Sequence, residues 1–549
     1  MNRDLQPDSN VARHLGAMAA AQAQATALKV PRGRTRSGEI DYLPLNFAEL
    51  DSEVSAWVAR LASRGLRRGD RTLLMVRPGL PLIACSFALF RMGAVPVVID
   101  PGMGLAGFLR CVAQTRPRAL VGIPIAQVLS RVVRGAFRSV DIRIPVSSSL
   151  TARLLRGGCP SEPAGPEPAR SAPGDLAAIL FTSGSTGAPK GVRYEHGMFD
   201  AQVRLIRETY GIEPGEIDLP LLPIFALFNP ALGMTTVVPE IDPRRPASAD
   251  PARIVQAIRQ EKVTNSFGSP TLWRIVSDHC RERKTSLPTL RRVLCAGAPV
   301  PAALWTASRH FLPNGRLHSP YGATEALPVT TLDADEQEAL DPCPGACVGR
   351  PLAGIGVKVI AIAEGPVPTL ASAGEVPAGT IGEIIVSGPV VTREYDGPPG
   401  ATAAAKIMDG GTCWHRMGDC GYLDPSGRLW FCGRKAERVE SPWGTLFTEP
   451  CEQVFRKHPR AARCALIGLG APGSQEPAIV VEASPRNRVE AKSIARDLRQ
   501  LGDENPLTAR IRKFYFRAQF PVDVRHNAKI HRLALARWAA RKTPMTPDE

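Results

Sequence analysis

A short apolar run, Leu-Ala-Ala-Ile-Leu-Phe at 176–181, passes directly into Thr-Ser-Gly-Ser-Thr-Gly-Ala-Pro-Lys-Gly at 182–191. Six consecutive apolar residues bounded by a turn signal read as a buried strand. The loop that follows is therefore set at the edge of a sheet. Gly184, Gly187 and Gly191 let the backbone turn tightly and present amides at close range. Thr182, Ser183, Ser185 and Thr186 add hydroxyl donors, and Lys190 adds a cation. These are the parts of a phosphate cradle. It is not a Walker loop, because no Gly-Lys-Ser/Thr follows a glycine at that spacing. A flexible Gly/Ser connector is the competing reading, but it does not explain the adjoining buried strand or the Pro-Lys-Gly end.

The rest of the chain supports a layered fold. At 549 residues it exceeds one compact core, so two or more domains are expected. Residues 47–65 read as an amphipathic helix with Leu50, Val54, Trp57, Val58 and Leu61 on one face and Gly65 as its stop. Residues 71–76 and 94–100 read as strands with a helical run between them. Alternating strands and helices predict an α/β class with parallel-type sheets. Residues 157–174, rich in Pro, Gly and Ala, read as an exposed linker. Further strands are expected at 291–297, 357–363, 382–388 and 428–433. Residues 434–444 are charged with little apolar periodicity and read as a hinge before a small unit of both helices and strands.

The formal net charge is +16, and arginine outnumbers lysine 56 to 12. The basic residues form no dense block and aromatics are 6% of the chain, which argues against nucleic-acid binding. Attraction to an anionic surface or an acidic ligand fits better, with at most peripheral membrane association. The twelve cysteines show no paired C-x-x-C spacing. Cys343 with Cys347, and Cys413 with His415 and Cys420, read as free thiols of a reducing compartment. The first fifteen residues have no apolar signal core. The run at 81–90 is stopped by Arg91 and is too short to span a bilayer. A soluble, cytoplasmic protein is expected.

Four more segments extend the loop's meaning: Leu-Cys-Ala-Gly-Ala-Pro-Val at 294–300, Tyr-Gly-Ala-Thr-Glu at 321–325, Met-Gly-Asp-Cys-Gly-Tyr at 417–422 and Phe-Pro-Val-Asp-Val-Arg-His-Asn-Ala-Lys at 520–529. With 181–191, and in this order, they resemble the motifs of the adenylate-forming superfamily of acyl-CoA synthetases, luciferases and peptide-synthetase adenylation domains. The resemblance spans about residues 45–535. It implies a large N-terminal adenylating domain of several subdomains over 1–434 and a small mobile α+β domain over 435–549. It implies ATP and Mg²⁺ as cofactors. Gly297, Ala298 and Pro299 would contact adenine and Tyr321 would pack on it. Gly322 belongs to the same turn, Thr324 would contact phosphate, and Glu325 would hold Mg²⁺. Asp419 would grip the ribose hydroxyls, with Arg434 before the hinge. Lys529 would be the catalytic lysine, acting with Glu325 and the loop hydroxyl of Thr186.

The chain also departs from the superfamily pattern. Acyl-CoA ligases usually carry His where this chain has Ala226. Their hinge usually reads Gly-Arg-x-Asp-Asp-x-Ile-Lys, where this chain has Ala436 at the first acidic position and Glu440 at the lysine. A glutamate there is unfavourable beside an anionic thiol cofactor. The wording of 219–242, 433–450 and 520–538 is most similar to the β-lactone synthetases of bacterial long-chain olefin biosynthesis. That likeness implies adenylation of a 2-alkyl-3-hydroxyalkanoic acid and attack by its own β-hydroxyl, with no external thiol. It suggests a condensing enzyme, a reductase and a lactone decarboxylase as pathway partners. Phe225, Phe228, Met234 and Trp273 are candidates for the acyl pocket and could equally be core. His196 is a candidate base by position alone, a core histidine at a helix start being the plainer reading. The alternatives are a long-chain acyl-CoA or acyl-carrier ligase, and a non-catalytic acyl- or nucleotide-binding scaffold.

Overall fold

Asn46 opens the helix Phe47–Ser63 with a capping box: its side chain accepts from the Glu49 amide, and the Glu49 carboxylate accepts from the Asn46 amide. All five residues expected on the inner face are buried. The helix belongs to a computed structural model that describes residues 8–146, 167–181, 189–242, 248–523 and 529–546. The chain divides into two units. The first comprises Met1–Val329, Leu352–Gly354 and Gly388–Ala403; the second comprises Thr330–Pro351, Ile355–Ser387 and Ala404–Glu549. This division follows packing within the chain and does not fall at residue 434.

The first unit is built on two sheets. One runs, in spatial order, Tyr395–Asp396, Gly191–Glu195, Leu176–Phe181, Val95–Ile99, Arg71–Met75, Ala119–Gly122 and Ile142–Pro145. The five strands from Leu176–Phe181 onward are parallel, and the first two are antiparallel additions at one edge. The other sheet has a parallel centre of Thr235–Val237, Ile217–Pro220, Asn265–Gly268, Arg292–Cys295 and Arg316–Ala323. The apolar run at 81–90 lies in helix Leu80–Arg91 and is buried on all sides from Ile83 to Phe90. That is why it lacks a polar face. The linker expectation at 157–174 changes at its end. Residues 147–166 lie outside the described residues, but Asn10 donates its side-chain amide to the carbonyl oxygens of Phe90 and Ala169, both at 2.7 Å, which ties this end of the segment down.

The second unit begins with an antiparallel sheet of Gly356–Ile360, Gly382–Ser387, Thr412–Leu423, Leu429–Arg434 and Ala346–Cys347, with Lys406–Asp409 paired alongside. A hairpin of Val439–Ser441 and Gly444–Leu446 follows. Then comes a sheet of Cys464–Leu469, Glu476–Glu482 and Lys513–Arg517. Period-two burial sorts its side chains onto two faces. Leu466, Ile479, Val481 and Phe514 pack with Phe455 and Leu498. Ala465, Ile467, Val480 and Tyr515 pack with Leu535.

Candidate active site

In the first unit, strand Leu176–Phe181 pairs antiparallel with Gly191–Glu195, so that Phe181 faces Gly191. The two residues that flank the glycine-rich segment, Phe181 and Gly191, thus form one register pair. Thr182, Ser183, Gly184, Ser185, Thr186 and Gly187 themselves lie outside the described residues. Gly191 is fixed by crowding: a Cβ there would stand 2.8 Å from Cζ of Phe181 and 3.1 Å from both Cβ and the carbonyl oxygen of Asp396. Lys190 is exposed, and its ammonium lies 5.1 Å from the centroid of the Tyr395 ring.

Tyr395, which sequence reading missed, joins two of the candidate residues. Its hydroxyl donates to Oε1 of Glu325 at 2.7 Å. Burial, reinforced by the Glu325 charge, pushes that hydroxyl above its ordinary pKa and keeps it a donor. Arg71 forks onto the Asp396 carboxylate at 2.8 and 3.2 Å and so holds the short strand that carries Tyr395. Nearby, the Tyr194 hydroxyl donates to the Thr324 carbonyl at 2.6 Å, and the Thr392 amide donates to the Glu325 carbonyl at 2.9 Å. Four contacts thus lock the Thr324–Glu325 turn and the lysine near it. At Gly322 a Cβ would meet the Ala326 carbonyl oxygen at 2.6 Å, so this hairpin closes only on glycine.

Gly297, Ala298 and Pro299 leave the strand Arg292–Cys295, and Tyr321–Glu325 ends the neighbouring parallel strand; Gly297 takes a φ of +101°. Phe225 follows the strand Ile217–Pro220 of the same sheet. All of them occupy the carboxyl ends of parallel strands, where open α/β sheets bind ligands.

The acyl candidates separate into two pairs. Phe225 stacks on Phe267 with ring centroids 3.7 Å apart. Phe228 stacks on Phe199 at 4.9 Å, and Phe225 and Phe228 lie 6.2 Å apart; both are half-buried. Met234 lies in the main core cluster, and Trp273 is fully buried against Phe311. Ala226, where the ligases carry histidine, is buried.

His196 is a core residue. Its Nδ1 accepts from the Val11 amide at 3.1 Å, and burial lowers its pKa to about 4. A less visible acid is Asp218, buried on its strand, with Asn229 donating to Oδ2 at 2.9 Å. Burial pushes its pKa up to about 7.

In the second unit, Asp419 and Arg434 are cross-strand partners, with Arg434 Nη1 2.9 Å from Oδ1 of the buried carboxylate. The unusual hinge is built into local structure. Lys435 donates to the Ala363 carbonyl at 2.8 Å and stands 3.2 Å from Glu383. Glu440 pairs with Arg438 and donates its amide to Gln475 at 2.8 Å. Lys529 is exposed, and its backbone exchanges two hydrogen bonds with Asp523, at 3.2 and 3.1 Å. Three residues on, Arg532 forks onto the fully buried Glu452 at 2.7 and 2.8 Å and reaches Glu437 of the hinge at 3.0 Å. Burial opposes the charge of Glu452, yet Arg532 and Arg456 more than offset it and hold its pKa down.

Known proteins resemble this chain over most of its length. The model of AMP-binding enzymes matches residues 18–396. The olefin beta-lactone synthetase of Xanthomonas campestris pv. campestris is 43% identical over 551 residues, covering 97% of this chain and 98% of its own. That of Stenotrophomonas maltophilia is 43% identical over 548 residues, with the same shares. The solved structure of the amide bond synthetase McbA from Marinactinospora thermotolerans shares the fold, with a TM-score of 0.76 at 23% identity and coverage of 97% of this chain and 100% of its own. By a family match that covers most of its length, this chain belongs to the AMP-binding enzymes, the adenylate-forming ligases.

Proposed function

We propose that this enzyme adenylates the carboxylate of a long-chain 2-alkyl-3-hydroxyalkanoic acid with ATP and then closes a β-lactone. The observation that carries this reading is the full-length likeness to olefin beta-lactone synthetases. The substrate carboxylate attacks the α-phosphorus of ATP and pyrophosphate leaves. The β-hydroxyl oxygen of the same molecule then attacks the acyl carbon, its proton is lost, and AMP departs with the bridging oxygen. The acceptor is thus held on the substrate itself, which converts a bimolecular step into an intramolecular one.

The residues divide the work by charge. Lys190 and the hydroxyl-rich loop hold the departing phosphates, and Lys529 neutralises charge gathering between carboxylate and α-phosphate. A compact ammonium suits that task better than a guanidinium fork. Asp419 accepts from the ribose hydroxyls, and Tyr321 with Gly297–Pro299 forms the adenine face. Phe225 and Phe228 supply the apolar wall for the acyl chain. Glu325 is half-buried, and among the described residues its Oε2 has no partner. A single carboxylate of this kind fits Mg²⁺, which takes one or two protein oxygens and the rest from phosphates and water. Bound there, Mg²⁺ would balance the triphosphate charge. Residues 435–549 would swing as a unit about the hinge to bring Lys529 into use.

The second reading, a CoA ligase, shares every ATP motif and differs only in the acceptor. The Glu440–Arg438 pair counts against it, since the position that is usually a lysine for an anionic thiol cofactor here carries a carboxylate in an internal ion pair. The two readings separate on products. With ATP, Mg²⁺ and a long-chain 2-alkyl-3-hydroxy acid, AMP and β-lactone form in equal amounts whether or not CoA is present. A strict requirement for CoA would replace the first reading with the second. The absence of AMP under both conditions would leave only a binding role.

A further inference from the structure

Helix Pro124–Val132 carries apolar side chains outward as well as inward, where Leu129 packs on the core. Its inward side carries Ala126, Gln127 and Ser130, all buried. Gln127 donates its side-chain amide to the Ile144 carbonyl at 3.0 Å, and the Ser130 hydroxyl donates to the Gln127 carbonyl at 2.9 Å. Its outward side is apolar: Ile125 is 71% exposed, Val128 58% and Val132 74%. Spacings of three and four residues set these side chains in one stripe. Single exposed apolar residues are common, but a contiguous stripe marks an interaction surface.

The charge along the segment that carries the stripe is one-sided up to the exposed Asp141. Residues 101–140 contain six arginines and no aspartate or glutamate. Arg118 pairs with Asp70. Arg110, Arg116, Arg131, Arg134 and Arg138 are exposed, and among the described residues none of them has a carboxylate partner. Arg131 borders the stripe, one position before Val132, and Arg134 and Arg138 follow the helix end.

We propose that this face docks on the surface of an anionic lipid bilayer. Ile125, Val128 and Val132 enter the boundary between headgroups and acyl chains, and Arg131, Arg134 and Arg138 meet the phosphates. A short amphipathic helix with an apolar outer stripe and flanking arginines is the arrangement that binds such interfaces. A protein partner would have to supply both an apolar strip and several unpaired carboxylates, whereas a bilayer offers a continuous anionic sheet over an apolar layer. The inference rests on this surface alone and does not depend on the reaction.

The test is flotation of the purified full-length enzyme with vesicles of phosphatidylglycerol and phosphatidylethanolamine, compared with vesicles of phosphatidylcholine alone. Two variants are run beside it: Ile125→Ser/Val128→Ser/Val132→Ser and Arg131→Glu/Arg134→Glu/Arg138→Glu. Each is first checked for unchanged melting and unchanged ATP–pyrophosphate exchange, since none of these residues belongs to the catalytic machinery. The wild type floats with the anionic vesicles and is released by high salt. Each variant binds at least about tenfold more weakly. Vesicle binding also slows hydrogen exchange in residues 124–132. Absence of binding to anionic vesicles, or equal binding by the variants, would overturn the proposal. So would a concentration-dependent dimer abolished by the serine variant without any vesicle binding, which would assign the face to a second copy of the chain.

Discussion

The hydroxyl of Tyr395 donates to Oε1 of Glu325 at 2.7 Å, while the Lys190 ammonium lies 5.1 Å from the centroid of the same tyrosine ring. One side chain so connects the end of the glycine-rich segment to the Tyr-Gly-Ala-Thr-Glu turn. Tyr395→Phe keeps the ring beneath Lys190 and removes only the donor to the carboxylate. A hydrogen bond to a charged group contributes about 1.5–3 kcal/mol. The variant should lose roughly ten- to a hundred-fold in ATP–pyrophosphate exchange and need more Mg²⁺ for half-maximal rate, with its melting temperature little changed. An unaltered Mg²⁺ dependence would mean that Tyr395 does not position Glu325.

Gly191 should be intolerant of any side chain for a steric reason. Its added Cβ would meet the Phe181 ring and Asp396, including backbone that the sheet holds in place. Gly191→Ala is expected to destabilise the protein by about 1–3 kcal/mol. Urea unfolding measures this directly, and a neutral result would show that the strands separate easily.

Two buried groups should give stability opposite pH slopes. His196 is held at about 4 when folded, below its ordinary 6.5. Between these values the unfolded chain binds a proton that the folded chain refuses, so stability present above about pH 6.5 is lost as pH falls toward 4. Asp218 is raised from 3.8 to about 7. There the folded chain keeps the proton, so stability is lost as pH rises from about 4 toward 7. In the wild type the two slopes oppose each other. His196→Asn, which preserves an acceptor for the Val11 amide, should reveal stability falling with pH. Asp218→Asn should reveal stability rising with pH. Each effect is on the order of 2–4 kcal/mol across the window. Urea midpoints between pH 4 and 8 measure both.

Arg532 and Lys529 are three residues apart and should fail in different ways. Arg532→Ala removes the fork onto the fully buried Glu452 carboxylate, leaving it to Arg456 and the Leu466 amide, and should cost about 1.5–3 kcal/mol. Arg532→Lys recovers only part of this, because the bidentate fork is lost. Lys529 is exposed, so Lys529→Ala should unfold at the wild-type urea concentration yet release almost no pyrophosphate. Near-normal release by that variant would remove Lys529 from the mechanism.

Much of the frame was legible because it rests on local pattern. Leu176–Phe181 and Cys464–Leu469 are continuous apolar runs, and Phe47–Ser63 has one clean apolar face. What escaped depends on distance along the chain. Tyr395 meets Glu325 from 70 residues away, and nothing in its own neighbourhood announces the contact. Asp218 and Asn229 look like ordinary polar residues until burial makes each the other's partner. Arg532 resembles any basic residue of a surface helix, but the buried Glu452 lies 80 residues earlier. Helix Pro124–Val132 shows the reverse problem: its apolar periodicity is plain, but periodicity alone would have turned the stripe inward. Met234 and Trp273 have the composition of a ligand wall and the packing of a core.

The most direct test of the account follows the oxygens. A 2-alkyl-3-hydroxy acid labelled with ¹⁸O at both carboxylate positions is turned over with ATP and Mg²⁺ and no CoA, and AMP and lactone are analysed by mass. If the carboxylate is adenylated and the β-hydroxyl attacks, AMP carries one label and the lactone carbonyl keeps the other. Unlabelled AMP with both labels in the lactone would mean that the hydroxyl was activated instead, and would contradict the account.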